Sequence, residues 1–115
     1  MIITITRENA EQIGRCIMRE IINAHQTCDY QLLTRHFCAE FKEKLTQERF
    51  EHAVQEAIIP MGQLISCEYL GYLKRVSEHQ LLWKVVFEHS DEELLWQLYL
   101  RDDEAPIQVT GLWFS

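Results

Sequence analysis

Two histidines and two cysteines come closest to a metal-binding pattern, namely His25, Cys28, His36 and Cys38. Imidazole nitrogen and thiolate sulfur are ligands that zinc prefers, but the spacings His25-x2-Cys28 and His36-x-Cys38 differ from those of the usual zinc motifs. We therefore predict no metal and no cofactor, with a histidine on a helix surface and buried thiols instead. Each of the other histidines follows a glutamate, and we expect all three to be solvated: His52, His79 and His89.

The four cysteines (Cys16, Cys28, Cys38 and Cys67) contain no C-x-x-C pair. The first residues lack the basic segment and the apolar run of a signal peptide. No segment approaches the roughly 20 apolar residues that span a bilayer. We therefore expect reduced thiols, no membrane association and a cytoplasmic location.

Charge and length narrow the class of protein further. The chain has 115 residues, which favours a single domain over residues 1–115. Its formal charge is −7, and its basic residues form no cluster larger than Lys74–Arg75. Because such a surface repels phosphate backbones, we predict that nucleic acid is not a partner.

Apolar residues at helical spacing fill the first half of the chain. The first predicted helix begins near Thr6 and carries one stripe, made of Ala10, Ile13, Ile17, Ile21 and Ala24. Gly14 lowers the helix propensity there but allows another element to approach closely. A second helix, capped by Thr27 or Asp29, is expected to break around Phe37–Ala39.

The third predicted helix runs from Gln47 to about Ile59. Thr46 is its expected N-terminal cap, and Pro60 and Gly62 are expected to end it.

The second half of the chain is typical of antiparallel strands. The predicted strands are Gln63–Val76, Leu81–His89, Glu93–Arg101 and Pro106–Ser115, and Gly71 predicts a bend in the first of them. The facing of residues 63–76 stays open. Helices followed by strands favour an α+β domain with three helices on one face of a four-stranded antiparallel sheet.

This order of elements resembles the nuclear transport factor 2-like superfamily. The matching features are a long first helix before Asp29-Tyr30, a second helix through Leu33 and Phe37, a bend at Gly71 and the final Val109–Phe114 segment. The resemblance covers nearly the whole chain. It implies that the helices pack into the concave side of a bent sheet, in a cone, and the superfamily contains both enzymes and non-enzymatic proteins.

The resemblance also implies where an enzyme of this fold would place its chemistry. Such enzymes hold an Asp, His or Tyr inside the cone for proton transfer. The predicted inward residues of the two middle strands include no acid and no histidine. The remaining candidates for proton transfer on a small hydrophobic substrate are Tyr30, His36, Glu68 and Tyr72, and Asp29 is better explained as a helix cap.

The three tryptophans allow two interpretations. Trp83, Trp96 and Trp113 all fall on the predicted inward side, and with Tyr30 they form a candidate site for a small apolar ligand. Aromatic residues at strand spacing are more typical of core packing, which we favour.

The opposite side of the strands also carries apolar residues, at Leu82, Val86, Leu95, Tyr99, Leu112 and Phe114. A contiguous apolar patch that no helix covers usually marks an interface, and relatives in the resembling superfamily often pair sheet to sheet. We predict a binding or scaffold domain that forms a homodimer, or binds a protein partner, through this face. A proton-transfer enzyme is the alternative. An accessory protein that binds a basic partner through its acidic surface also fits the charge.

Overall fold

Helix α1 (Ala10–Thr27) is the longest helix of the computed structural model, which describes residues 2–114. The predicted start at Thr6 is wrong by one turn, because the carbonyl of Thr6 accepts hydrogen bonds from the amides of Asn9 and Ala10 in a separate turn. The apolar stripe of α1 lies buried against the sheet. Gly14 is required at this contact, since a Cβ there would lie 2.3 Å from Leu81 Cδ2.

Short helical segments follow α1, and they are α2 (Tyr30–Leu33), α3 (Ala39–Lys44), α4 (Gln47–Ala53), a π-helical turn (Val54–Ile58) and α5 (Ile59–Met61). The Asp29 carboxylate accepts a hydrogen bond from the Leu32 amide at 3.1 Å, and the Thr46 hydroxyl accepts one from the Arg49 amide at 3.3 Å. Both predicted caps are therefore confirmed. Pro60 lies inside α5, where the first positions of a helix need no N–H donor, and Gly62 ends it.

The sheet contains β1 (Leu64–Lys74), β2 (His79–Phe87), β3 (Leu94–Arg101) and β4 (Gln108–Phe114), all antiparallel and in that spatial order. Register shifts lie between Leu64 and Ser66 and again between Tyr69 and Gly71, so β1 is irregular where Gly71 predicted a bend. The helices precede the sheet and pack on one face of it, and the α+β class predicted from the sequence is confirmed.

The facing of β1 follows from its pairing with β2. Tyr69 and Tyr72 lie opposite the buried Trp83 and Leu81 and face the helices. Glu68 lies opposite Lys84 on the other face, and its side chain is 62% exposed. The carboxylate thereby lies on the face of the sheet that the helices do not cover.

Strand β4 departs from the predicted alternation. A register shift opposite Tyr99 and Leu100 makes Thr110 an extra residue, and it reverses the facing of everything after it. Trp113 is 64% exposed on the outer face, which corrects its predicted inward position. Leu112 pairs with Leu98 and is buried, so its predicted outward position is wrong. Phe114 is 44% exposed, but it pairs with Trp96 and its ring lies 4.1 Å from the Trp96 ring, so it too is on the inner side and not on the predicted outer one.

Candidate functional site

The face of the sheet that the helices leave open carries a group of apolar side chains. Leu82, Val86, Leu95 and Tyr99 are all partly exposed there, as predicted, and Leu73 of β1 adds a fifth side chain that the sequence left undecided. We call these five residues the outer patch: Leu73, Leu82, Val86, Leu95 and Tyr99. Their strands are neighbours in the sheet, so the patch extends across β1, β2 and β3.

Polar side chains on the same face are linked to one another. The Gln80 amide donates to Gln97 Oε1 at 2.6 Å, Arg75 Nε donates to Gln80 Oε1 at 2.8 Å, and the Tyr99 hydroxyl donates to Gln97 Oε1 at 3.3 Å. Gln80 is buried by these neighbours although no helix covers it. The network therefore holds the polar groups beside the patch in fixed positions.

The outer face differs from the rest of the molecule in charge. Among its strand residues it carries the carboxylate of Glu68 and the cations of Lys84 and Arg101, whereas the whole chain has a net charge of −7. Lys84 Nζ lies 3.8 Å from Glu68 and 3.3 Å from Glu93, and Arg101 lies 3.1 Å from Asp103. Most of the net negative charge of the chain therefore lies on the rest of the surface.

The inner face is packed. Trp83 and Trp96 are completely buried, and the 150 Å³ recess beside Trp83 is about half the size of a typical small-molecule site. Tyr30 lies away from both, and its hydroxyl donates to the Leu45 carbonyl at 2.7 Å. The four predicted ligand-binding residues therefore do not line one cavity, since Trp113 lies outside.

His25 is a buried histidine that the sequence placed on a helix surface. Its Nδ1 donates to the Ile21 carbonyl at 2.8 Å, and its ring lies 5.1–5.3 Å from those of Phe50, Trp96 and Phe114. Burial lowers the pKa of His25, and the hydrogen bond to Ile21 only partly opposes this. The ring is thus held in its neutral form inside an aromatic cluster.

A second buried histidine, His79, was predicted to be solvated and instead links three segments. The Tyr72 hydroxyl lies 2.6 Å from His79 Nδ1, and His79 Nε2 lies 3.1 Å from Asp102 Oδ2. The same oxygen accepts a hydrogen bond from the Ile5 amide at 2.6 Å. The inward position of His79 on β2, in step with Leu81, is the signal that could have revealed it.

These contacts change the acidity of the linked groups. Burial alone would raise the pKa of Asp102, but the hydrogen bonds from Ile5 and His79 and the charge of His79 outweigh it and lower that pKa. Burial raises the pKa of Tyr72. The arrangement connects the N-terminal segment and the β3–β4 loop to the sheet.

His36 lies elsewhere, beside a cleft of about 440 Å³ between α1 and the β3–β4 loop. Its Nε2 lies 3.0 Å from Glu20 Oε2, and Arg35 binds the other oxygen of Glu20. Apolar residues form most of the cleft wall, among them Ile3, Ile13, Ile17, Pro106 and Ile107. The four predicted proton-transfer residues, Tyr30, His36, Glu68 and Tyr72, thus lie in four separate places.

No group of three or more His, Cys, Asp or Glu residues is placed to hold a metal ion within residues 2–114. The four cysteines are all free thiols. Within the same range, no helix is both long and apolar enough to cross a membrane.

A cleft of about 760 Å³ lies between α3 and the free edge of β4. Phe41 and Leu45 line its helical side, and Gly111, Leu112 and Trp113 line its strand side. This cleft could not be predicted from the sequence, because it depends on the bulge that turns Trp113 outward.

Together, the fold and these surfaces define an α+β domain whose sheet is covered by helices on one face only. No protein-family model matches the chain, and no curated protein matches it either. Its structure is similar to the solution structure of a SEC-C motif containing protein from Rhodopseudomonas palustris, with a TM-score of 0.61 and 11% sequence identity. The similarity covers 90% of this chain and 86% of the other, and it shows a shared fold.

Proposed function

We propose that this protein is a non-enzymatic binding domain of the nuclear transport factor 2-like type, which forms a homodimer through the outer patch. The observation that carries the proposal is the coincidence of apolar surface and low acidity on one face. Leu82 and Val86 flank Lys84 on the open face of β2, and Leu95 pairs with Lys84 from β3, so the three apolar side chains surround one lysine without a helix over them. Groups of exposed apolar residues with a polar surround are typical of protein interfaces.

Charge favours a second copy that approaches with this same face. Two molecules that each carry −7 repel one another over most of their surface. On the outer face, Lys84 and Arg101 are paired with Glu68, Glu93 and Asp103, so this face is close to neutral and should repel a second copy less than the net charge of the chain suggests. A two-fold axis through the patch would place each apolar residue against the same patch of the partner.

The dimensions of the sheet set the expected strength of association. Four strands spaced about 4.8 Å apart, with about eight residues each, present a face of roughly 15 by 27 Å between strand axes. This outline encloses roughly 400 Å² on each molecule, or about 800 Å² in total, which is below the about 1,200 Å² of stable specific interfaces and is typical of weak ones. We therefore expect a dimer that dissociates in the micromolar range.

Size-exclusion chromatography with light scattering tests this proposal. The wild type is compared with Leu82→Glu, which would place two buried carboxylates in a symmetric interface, and with Val76→Glu. Val76 is fully exposed in the β1–β2 turn, outside the patch. The variant Val76→Glu therefore adds the same charge without touching the interface. We expect a dimer for the wild type and for Val76→Glu, and a monomer for Leu82→Glu.

An unchanged dimer in Leu82→Glu would reject this interface, and a wild-type monomer at high micromolar concentration would reject the dimer. Circular dichroism must show that each variant is folded. We expect it to be, because Leu82 is partly exposed and makes no contact with the helical layer.

The proposal also includes a cytoplasmic location and the binding of a small apolar ligand. Four free cysteines fit a reducing compartment. A ligand would find more room in the 440 Å³ cleft beside His36 than between Trp83 and Trp96. A proton-transfer enzyme has weaker support than a binding domain, because its four candidate residues are dispersed.

A further inference from the structure

Strand β4 is an edge strand, and the chain itself already pairs with part of that edge. Phe37 forms a parallel bridge with Val109. The Val109 amide donates to the His36 carbonyl at 2.6 Å, and the Cys38 amide donates to the Val109 carbonyl at 2.9 Å. Immediately after Cys38 the chain turns away from the sheet into α3.

Beyond this bridge the edge of β4 is open. In an antiparallel pair the backbone groups of successive residues point alternately toward the neighbouring strand and away from it. The backbone N–H and C=O groups of Val109 point away from β3. Thr110 and Gly111 both lie opposite Tyr99 in a two-residue bulge, so the backbone groups of Leu112 point away from β3 as well. Within residues 2–114, no backbone hydrogen bond outside the sheet involves Leu112.

The open edge borders the 760 Å³ cleft described above. Phe41 and Leu45 of α3 form the opposite wall, and the Trp113 ring stands at the mouth. Natural edge strands are usually protected by charged residues, prolines or covering segments. A large exposed aromatic side chain at an open edge is the opposite arrangement, and it favours occupancy by another chain.

Charges around the cleft are balanced. Three cations and three carboxylates line it, namely Lys44, Arg49, Arg101, Glu40, Glu78 and Asp103. Asp103 is paired with Arg101, and Glu78 accepts a hydrogen bond from the Thr110 hydroxyl. This balance complements an uncharged occupant, which backbone hydrogen bonds and apolar contacts would hold.

We propose that the cleft between α3 and β4 binds an extended, uncharged peptide segment of a partner protein by strand addition. The segment continues the parallel pairing that Phe37 begins, and its backbone bonds to the edge of β4 at Leu112. Apolar side chains at alternate positions of the peptide contact Trp113 on one side and Phe41 and Leu45 on the other. The cleft shares no residue with the outer patch, although Trp113 lies on the same face of the sheet and Tyr99 of the patch packs on Gly111 of the cleft. Binding at the edge of β4 does not require dimer formation.

Selection from a phage-displayed library of random decapeptides on the full chain provides the probe. The enriched peptide is then synthesised in three forms: unmodified, N-methylated at its odd positions and N-methylated at its even positions. Binding is measured by calorimetry for every variant and, where Trp113 is present, also by the change in its fluorescence, since Trp83 and Trp96 are buried. The protein variants are Phe41→Ser, Trp113→Ser and, as the matched control, Ile59→Ser at an exposed apolar position outside the cleft.

We expect enriched peptides with few charges and apolar residues at alternate positions. Only one edge of the peptide faces β4, so one N-methylated form should lose binding while the other keeps it. Phe41→Ser and Trp113→Ser should each weaken binding by about tenfold or more, and Ile59→Ser should not change it.

Four results would overturn the proposal. One is the absence of any enriched peptide, and another is equal binding of both N-methylated forms, which would indicate side-chain docking without strand addition. The third is a wild-type dimer that Trp113→Ser dissociates and Leu82→Glu does not, which would mean that a second copy of β4 occupies the edge. Retained binding by both cleft variants would also reject the site.

Discussion

The inner and outer faces of the sheet come from the same strands, but their side chains meet different surroundings. On the inner face, Trp83, Trp96 and Leu98 are completely buried against α1 and the helical segments. On the outer face, Leu82 and Leu95 are of similar hydrophobicity but remain partly exposed. A strand that carries apolar residues on both faces is therefore not necessarily buried on both faces within one chain.

The same comparison separates stability from association. Inner residues pack against their own chain, so their loss should unfold it. Outer residues have no such contacts, so changing them should alter assembly and leave the fold intact.

The largest effect is expected for truncation in the inner face. Trp96→Ala removes a ring that contacts His25, Phe87 and Phe114, and it should lower the free energy of unfolding by about 3–5 kcal/mol. Leu82→Ala on the outer face should cost about 1 kcal/mol or less, because a partly exposed side chain leaves no closed cavity. Urea denaturation at low protein concentration, where dimers dissociate, measures both. Equal losses would break the comparison.

A smaller loss is expected where α1 touches the sheet. In Gly14→Ala the new Cβ would lie 2.3 Å from Leu81 Cδ2, so helix or side chain must shift, at a cost of about 1–3 kcal/mol. Gly71→Ala is the matched control, because no atom lies within 4 Å of a Cβ at that position. If Gly14→Ala is as stable as the control, α1 does not pack as closely as described.

Acid should lower the free energy of unfolding, because His25 is buried in the inner face. Because burial lowers the pKa of His25 in the folded chain, the unfolded chain binds a proton first as pH falls below 6.5. Stability is therefore complete above that pH and falls below it. In His25→Phe this part of the pH dependence between pH 7 and 5 should disappear, while His89→Gln at an exposed position should retain it. Unfolding free energies across that range test the sign, and a wild type that gains stability in acid would contradict it.

The smallest effect belongs to the ion pairs of the outer face. Lys84→Ala removes the contacts with Glu68 and Glu93, all partly or largely exposed, and should change stability by less than about 0.5 kcal/mol. Thermal unfolding of the variant and the wild type checks this. A loss of several kcal/mol would show that the outer face contributes to the fold itself.

Much of this architecture could be predicted from the sequence, because local chemistry determined it. Asp29 and Thr46 cap helices as expected, Gly14 marks a close contact, and the alternation of β2 and β3 gives the correct inward residues. The caps and the alternation depend on neighbours within one turn or one strand, whereas Gly14 indicates a close approach without identifying Leu81 as the partner. The class of fold followed from their order.

What the sequence did not predict depends on contacts between distant segments. The bulge at Thr110 has no local signature beyond Gly111, yet it moves Trp113 outward and Phe114 inward. Gly111 itself is needed because the Tyr99 side chain lies over it, 3.2 Å from where a Cβ would be. In the same way, His79 is buried because Asp102, far along the chain, reaches it.

The central claim is that the outer patch is the contact between two copies. The most direct test is an isotope-filtered NOE experiment on a mixture of labelled and unlabelled protein at high micromolar concentration. We expect intermolecular NOEs among the methyl groups of Leu82, Val86 and Leu95. Intermolecular NOEs confined to the helices or to Trp113 would contradict this interface. A wild type that remains monomeric at high micromolar concentration, and therefore shows no intermolecular NOEs, would contradict the dimer.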